Sequence, residues 1–392
     1  MQVVQATSYT GVKQGGPSIV TPALSAILVK QGIEIEVIGQ IWPNDQPVDW
    51  PESIAPQTIV TTDLSGFGYS KSLKRPLKDA VKQADLTHSH GLWMYLTYLC
   101  GSLTRAFHKP HVITLHGMIE PWILARSPKK KSLVRRLYQD RVLTNASCLH
   151  ALCDPEAQHL RELGFRTPIA VLPNGIKLDD FATLPPQDTL SKRFPILEGR
   201  KVILFLSRVH PKKGLLHLIE AWSQLSLEFD SWQLVIAGPD NLGHRAEVEQ
   251  AIEAHNLANQ VTFMGTVNGT EKLAVLSAAN IFVLPSFSEG FSMAILEAMA
   301  CRLPVLLTPG CNFSEAVQAG AATEVTPDAQ SVQNGLRHLL ELTDSDRLEM
   351  GQKGYNLVKA NYTWDQVGKD MIDVYQWCLG GGKPPASIRL PK

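Results

Sequence analysis

Two carboxylates and two cations frame the chemistry open to this chain. Glu289 and Glu297 stand eight residues apart in Ser286-Phe287-Ser288-Glu289-Gly290-Phe291-Ser292-Met293-Ala294-Ile295-Leu296-Glu297. An apolar run of strand type at 281–284 comes before them. After Gly290, the residues Phe291, Ile295, Leu296 and Met299 recur with helical period. Glu289 is therefore expected on a strand-to-helix turn and Glu297 about two turns into the helix. At the rise of an α-helix the two lie on the order of 12 Å apart. Carboxylate pairs that act on one bond stand roughly 5–9.5 Å apart, so these two do not form one. The spacing suits the ends of an elongated ligand whose anionic middle rests on the helix N-terminus. A sugar nucleotide has that form: hexose, diphosphate, ribose. Gly290, Phe291, Ser292 and Met293, at the helix start, would line its middle.

The cations come from Ser207-Arg208-Val209-His210-Pro211-Lys212-Lys213-Gly214, between an apolar strand at 202–206 and a helix from Leu215. Arg208 and Lys213 thus belong at the carboxyl end of a parallel strand, where open α/β sheets bind ligands. Fixed cations aimed at a departing diphosphate stabilise the transition state more than the ground state. Gly15 and Gly16, in Gly11-Val12-Lys13-Gln14-Gly15-Gly16-Pro17-Ser18, permit a close backbone approach where the first strand leads into the first helix. His116 ends the strand 111–115, again at a carboxyl end where ligands bind. His90 is a candidate for the acceptor side. Trp93 and Tyr95 could floor an acceptor sugar, although core packing explains them equally well.

The segment from Glu289 to Glu297 resembles the E-x7-E signature of retaining glycosyltransferases of the GT-B fold, family 4 (glycosyl transferases group 1), and the resemblance extends over most of the chain. It implies an α/β architecture of two doubly wound, Rossmann-like domains facing across a cleft, with a C-terminal helix crossing back to the N-terminal domain. It further implies that Glu289 approaches the hydroxyls of the donor sugar and Glu297 the ribose. Arg208 and Lys213 would grip the diphosphate, the Gly15-Gly16 loop would close over it, and His116 would lie beside the transferred sugar. The nucleotide base would be held mostly by backbone groups near Gly238, Thr266 and Val267. Where relatives often have Gly-x-Gly-Pro, this chain has Ala237-Gly238-Pro239-Asp240, which leaves the identity of the base open. The stretch His116-Gly117-Met118-Ile119-Glu120-Pro121-Trp122 looks like members from bacterial exopolysaccharide pathways, such as the cyanobacterial heterocyst envelope polysaccharide glycosyltransferases. The implied reaction is metal-independent hexosyl transfer with retention, glucose from UDP-glucose being the leading donor, to a sugar or lipid-linked oligosaccharide. No cofactor is implied.

The elements that must position these groups are legible as strands alternating with helical stretches, in two series, which argues for parallel sheets with crossover helices. The reading gives an acceptor-binding domain over 1–177, with 365–380 packing back on it, and a donor-binding domain over 178–364. The joint falls at Leu172-Pro173-Asn174-Gly175-Ile176 and a polar, proline-containing stretch to about Pro195. The tail 381–392 is expected to be disordered. At 392 residues the chain is too long for one core. Lys and Arg together number 37, as do Asp and Glu, so no global field recruits nucleic acid. The balance conceals an asymmetry, with 19 basic and 13 acidic residues in 1–177. The six cysteines form no CxxC pair, which argues against a zinc site and a disulfide framework. Asp344-Ser345-Asp346 matches a metal-binding DxD only formally, because Thr343 or Asp344 is a natural helix N-cap.

The segment 128–141 reads as a basic amphipathic helix with six basic residues against one acidic, and Leu133, Val134, Leu137 and Tyr138 in a stripe. Such a helix either lies on an anionic membrane or packs with a solvated charged face. No apolar run is long enough to span a bilayer and no signal peptide is visible. The expectation is a cytoplasmic protein, peripheral at the inner face of the plasma membrane if the helix binds lipid. A sugar-nucleotide epimerase of the same architecture would need further acid/base carboxylates, and none is evident. A catalytically inactive scaffold would be expected to lack one or more of Glu289, Glu297, Arg208 and Lys213, and all four are present.

Overall fold

The structure, a computed structural model, describes residues 1–61, 66–240 and 242–391. The chain divides into two compact units, Met1–Gly175 with Trp364–Lys392, and Ile176–Thr363.

In the first unit the strands are β1 (Gln2–Thr7), β2 (Glu34–Ile41), β3 (Gln57–Val60), β4 (Leu86–His90), β5 (His111–Thr114), β6 (Cys148–Ala151) and β7 (Ile169–Val171). In the second they are β8 (Lys201–Leu206), β9 (Trp232–Ala237), β10 (Val261–Gly265), β11 (Ile281–Leu284), β12 (Val305–Leu307) and β13 (Ala322–Glu324), and β14 (Ile388–Arg389) returns to the first. The first sheet has the order β14-β7-β6-β5-β4-β1-β2-β3 and the second β10-β9-β8-β11-β12-β13. All pairings are parallel except that of β14 with β7. Strands such as Val202–Leu206 are apolar without interruption because helices cover both faces of the sheet. Each sheet reverses its winding once, between β1 and β4 in the first and between β8 and β11 in the second. Those reversals are where the crossover helices part and leave a crevice outside the strand ends.

Several sequence expectations are corrected. Phe291 does not begin a helix: the helix is Met293–Ala300, and Ser292 is extended at φ −89° and ψ 107°. Phe291 instead stacks on Tyr362 at 5.9 Å and tilts against Phe313 at 5.5 Å. Glu289 therefore precedes the helix by four residues, and a helical rise does not measure its separation from Glu297. The stretch to Pro195 is no linker, since Phe181 and Leu190 are buried in the core of the second unit. The tail expected to be disordered is paired. After Gly380 and Gly382, both at positive φ, Ile388 and Arg389 add an antiparallel edge to β7. Arg161 donates to the carbonyl of Arg389, and Ile388 is buried. Helix Trp364–Cys378 packs on helix Gly16–Lys30, with Met371, Val374 and Tyr375 in one cluster with Leu24, Ile27 and Leu28.

Candidate active site

In the second unit Lys213 and Glu289 meet. Lys213 ends a 3-10 turn (Pro211–Lys213) after β8, capped by the His210 ring, whose Nδ1 accepts from the Lys212 amide at 3.0 Å. Gly214 follows at φ +72°, and a Cβ there would lie 2.1 Å from the Pro285 carbonyl oxygen, so only glycine fits. Glu289 lies in the loop after β11. Its Oε1 accepts from Lys213 Nζ at 2.5 Å and from the Ser286 hydroxyl at 2.6 Å. The two charged side chains are only 7 % and 9 % exposed. Burial alone would raise the carboxyl pKa. The charges of Lys213 and Lys212 and the two side-chain hydrogen bonds outweigh that and hold it below the usual range. The backbone of Glu289 is fixed on both sides: its amide donates to Gly310 at 2.7 Å, and Asn312 donates to its carbonyl at 2.7 Å. Beside it the Ser288 hydroxyl is buried without a partner among the described residues.

Arg208 is exposed and makes no ion pair among the described residues. Glu297, in helix Met293–Ala300, pairs with Lys272 of helix Gly269–Ala278 at 2.6 Å, both partly buried. Ser292, at the N-cap of the Glu297 helix, makes no capping side-chain bond, so the first N–H groups of that helix lack a side-chain partner. Gly290 and Met293 are only partly buried beside it.

The base-side residues sort differently. Gly238, at φ +140°, is demanded by packing, since a Cβ would lie 1.9 Å from the Ser207 carbonyl oxygen. Its amide donates to Gly265 at 2.7 Å. Thr266 is exposed, whereas the Val267 side chain is 5 % exposed in the core, so only its backbone can face a ligand. Asp240, where relatives often have a different pattern, accepts from the amides of Leu242, Gly243, His244 and Arg245 and so caps its own helix. Asp344 is bound by Lys201 at 2.8 Å and Arg347 at 2.5 Å, and Asp346 forms a capping box with Thr343.

In the first unit, Gly15 takes φ 77° and ψ −147° as the N-cap of helix Gly16–Lys30. A Cβ on either Gly15 or Gly16 would meet nothing within 4 Å. Open space there is unlike the crowding at Gly214 and Gly238. His116 and Trp93 both adopt positive φ, +55° and +70°, conformations that non-glycine residues hold only under constraint. Glu156 supplies that constraint for His116: its carboxylate accepts from the Gly117 amide at 2.6 Å and the Leu152 amide at 2.7 Å. Burial pushes the Glu156 carboxyl up to about 7, against the pull of those two bonds. Trp93 is clamped by consecutive residues of a π-turn, Arg135–Gln139: its amide donates to Gln139 Oε1 at 2.9 Å, and Tyr138 donates to its carbonyl at 2.8 Å. Tyr95 belongs to an aromatic cluster with Phe67 and Tyr69. His90 Nδ1 lies 3.1 Å from His116 Nε2.

Sequence reading missed Ser286, Ser288, Asn312, Lys272 and Glu156. Asn312, Lys272 and Glu156 act through contacts with elements distant in sequence or through backbone groups, which no local pattern signals, and Ser286, although only three residues from Glu289, is of a type common in any loop.

Comparison with known proteins finds relatives along most of the chain. Residues 14–180 match the model described as Glycosyltransferase Family 4, and residues 186–357 that described as Glycosyl transferases group 1. A D-inositol 3-phosphate glycosyltransferase of Kineococcus radiotolerans is 25% identical over 92% of this chain and 90% of its own. A GDP-mannose:cellobiosyl-diphosphopolyprenol alpha-mannosyltransferase of Xanthomonas campestris is 25% identical over 83% and 84%. Among solved structures, the sucrose-phosphate synthase of Thermosynechococcus elongatus superposes with a TM-score of 0.76 at 22% identity, over 97% of this chain and 100% of that one. Anabaena HepE in complex with UDP and glucose superposes with a TM-score of 0.76 at 16% identity, over 96% and 100%. With two doubly wound sheets and a family match running through both units, the chain belongs to the group 1/family 4 glycosyltransferases of the GT-B fold.

Proposed function

We propose that this glycosyltransferase moves a hexose from a nucleotide sugar to a sugar or lipid-linked saccharide, with retention of configuration and without a metal. The observation that carries the reading is the Lys213–Glu289 pair, built at the winding reversal of the second sheet beside an uncapped helix N-terminus. Arg208 and Lys213 take the charge that develops on the leaving diphosphate. Glu289, held ionised, orients the sugar hydroxyls. Glu297 binds the ribose, with Lys272 holding its carboxylate. Gly290, Ser292 and Met293 offer backbone N–H groups, and Gly238, Thr266 and Val267 offer backbone groups to the base. In the first unit, His116 and the Gly15-Gly16 loop are assigned to the sugar and Trp93 to the acceptor, whereas the acceptor-side expectation for His90 is corrected: at 1% exposed, with both ring nitrogens bonded to Gln5 and His116, it acts only through His116. Glu289, tied to Lys213, and Glu297, tied to Lys272, are each held by a cation rather than paired for a double displacement. The acceptor hydroxyl is therefore expected to attack from the face the nucleotide leaves, its proton passing to the departing phosphate.

UDP-glucose is the first donor to test, on the strength of a structural neighbour described with UDP and glucose. GDP-mannose is the second, because the Xanthomonas relative is named for it. Thermal stabilisation by UDP, GDP, ADP and UDP-glucose separates them. A ligand at 100 times its dissociation constant adds about 2.7 kcal/mol. A shift with one nucleotide that weakens in Glu297→Ala supports the reading, and no shift with any nucleotide sinks it.

A lipid-linked acceptor is favoured by the helical segment from Pro128. Leu133 and Leu137 are 57% and 68% exposed beside Lys129, Lys130 and Arg136, a combination suited to an anionic lipid surface. Lys131 is engaged with backbone carbonyls, and Arg135 with Asp140 at 2.9 Å, so fewer cations are available than the sequence count suggests. No described helix is long and apolar enough to cross a membrane. Co-sedimentation with anionic vesicles, lost in Leu133→Ser/Leu137→Ser, is the expected result.

A further inference from the structure

Five strand-borne side chains and one from the last helix form an unbroken hydrogen-bonded line through the first unit. His150 (β6) places Nε2 2.9 Å from the Leu172 carbonyl oxygen and Nδ1 2.7 Å from the Thr114 hydroxyl (β5). Thr114 lies 2.6 Å from His88 Nε2 (β4), and His88 Nδ1 lies 2.6 Å from the Tyr375 hydroxyl. Tyr375 is 3.2 Å from the Gln5 amide nitrogen (β1), and Gln5 Oε1 is 2.6 Å from His90 Nε2 (β4). His90 Nδ1 then reaches His116 Nε2 at 3.1 Å. Every member before His116 is almost completely buried.

The direction of this line is decided at one end. A backbone carbonyl can only accept, so the proton of His150 sits on Nε2 and its Nδ1 is bare. Thr114, with a single proton, must donate to that Nδ1 and therefore accepts from His88 Nε2–H. His88 Nδ1 is then bare and takes the Tyr375 proton. Tyr375 accepts from the Gln5 amide, whose oxygen accepts from His90 Nε2–H. His90 Nδ1 is bare and takes the proton of His116 Nε2. Reversing any link would leave two protons or two lone pairs facing each other further along, ending with bare His150 Nε2 against the Leu172 oxygen. A doubly protonated histidine would break the line as well. Burial disfavours that form, and the repulsion between neighbouring imidazoles adds to the effect at His88, His90 and His116.

We propose that this one-way relay, anchored on the Leu172 carbonyl, locks His116 as the neutral Nε2–H tautomer and presents its bare Nδ1 as an acceptor. Nδ1 has no partner among the described residues, and the His116 side chain is partly exposed. Gln5, His88, His90, Thr114, His150 and Tyr375 are thus positioning residues. The part played by Tyr375 makes the last helix the piece that completes the line. Resting on the proposed sugar-binding role, the ligand group at Nδ1 is a hydroxyl that donates, and an anion or a carbonyl oxygen is refused.

The test uses the full chain labelled with 15N-histidine, with long-range proton–nitrogen correlations assigned by single His→Gln variants. In the free protein His88, His90, His116 and His150 are all expected as neutral Nε2–H tautomers between pH 6 and 8. An Nδ1–H or doubly protonated His116 in that range overturns the relay. Tyr375→Phe removes the proton between Gln5 and His88, and Thr114→Val, nearly isosteric, removes the one between His88 and His150. Each is expected to turn His90 or His116 into a mixture of tautomers. If both variants fold and leave the His116 signals untouched, the relay does not transmit. Adding UDP-glucose or GDP-mannose then addresses the hydroxyl alone. A shift of the His116 Nδ1 resonance is expected, and its absence with a correct tautomer pattern overturns the ligand assignment while leaving the relay intact.

Discussion

A buried carboxylate and a buried ammonium 2.5 Å apart are costly to place in a core unless both are kept. Removing one partner from such a pair costs about 3–5 kcal/mol, whereas replacing both by apolar groups is often neutral. Glu289→Gln is therefore expected to lower stability by about that amount, because Lys213 stays 5% exposed with no counter-charge. Lys213→Met/Glu289→Gln should recover most of the loss in a urea titration while remaining inactive, since the donor has lost both groups. A double variant no more stable than the single would show that the pair does not hold the loops. Lys272 differs, being 30% exposed beside Glu297. Lys272→Ala is expected to change stability by less than about 1 kcal/mol yet raise the KM for the nucleotide sugar several-fold, with kcat little affected. Equal losses in KM and kcat would argue against a role confined to holding Glu297.

Among the elements, the glycines separate packing from function. Gly214 and Gly238 are fixed by neighbouring backbone, but a Cβ on Gly16 enters open space. Alanine at the start of helix Gly16–Lys30 should be neutral or stabilising by up to about 1 kcal/mol. If the donor lies over this terminus, Gly16→Ala should nonetheless weaken nucleotide-sugar binding. Calorimetry showing unchanged affinity would remove the loop from the site. The central strands of the second sheet were legible because β8 and β11 are nearly continuous apolar runs buried on both faces. β3, with exposed ends, and β14, of two residues, were not, because partner strands rather than their own pattern make them strands. Lys213 and Glu289 were legible because a charged residue at a strand end has few structural reasons to be there. The relay was not: Gln5 and Tyr375 are 370 residues apart, and no periodicity links them. The π-turn at Arg135–Gln139 was hidden likewise, its two consecutive side chains both reaching Trp93.

At the scale of the molecule, the buried histidines of the first unit set its response to acid. His88, His90, His111 and His150 are each at most 3% exposed. Burial lowers all four, to about 3 at His111 and about 4 at His150, and repulsion between the imidazoles adds to it at His88 and His90. Unfolded histidine titrates near 6.5. Below that pH the unfolded state binds more protons, so these groups contribute stability that is complete above about 6.5 and lost as the pH falls toward their folded values. Each can remove about 1.4 kcal/mol per pH unit in that window. Glu156 acts in the opposite sense: its folded value of about 7 lies above the ordinary 4.5, so its contribution is present below about 4.5 and fades as the pH rises through 7. Four histidines outweigh one carboxyl, and the net slope between pH 6.5 and 4.5 is a loss of stability with acid. Because the histidines sit on β4, β5 and β6, hydrogen exchange should show protection of those strands and β1 collapsing while β8, β9 and β11 still hold. Simultaneous loss in both units, or protection of β4 unchanged down to pH 4.5, would mean that the histidines are not held neutral inside the first sheet.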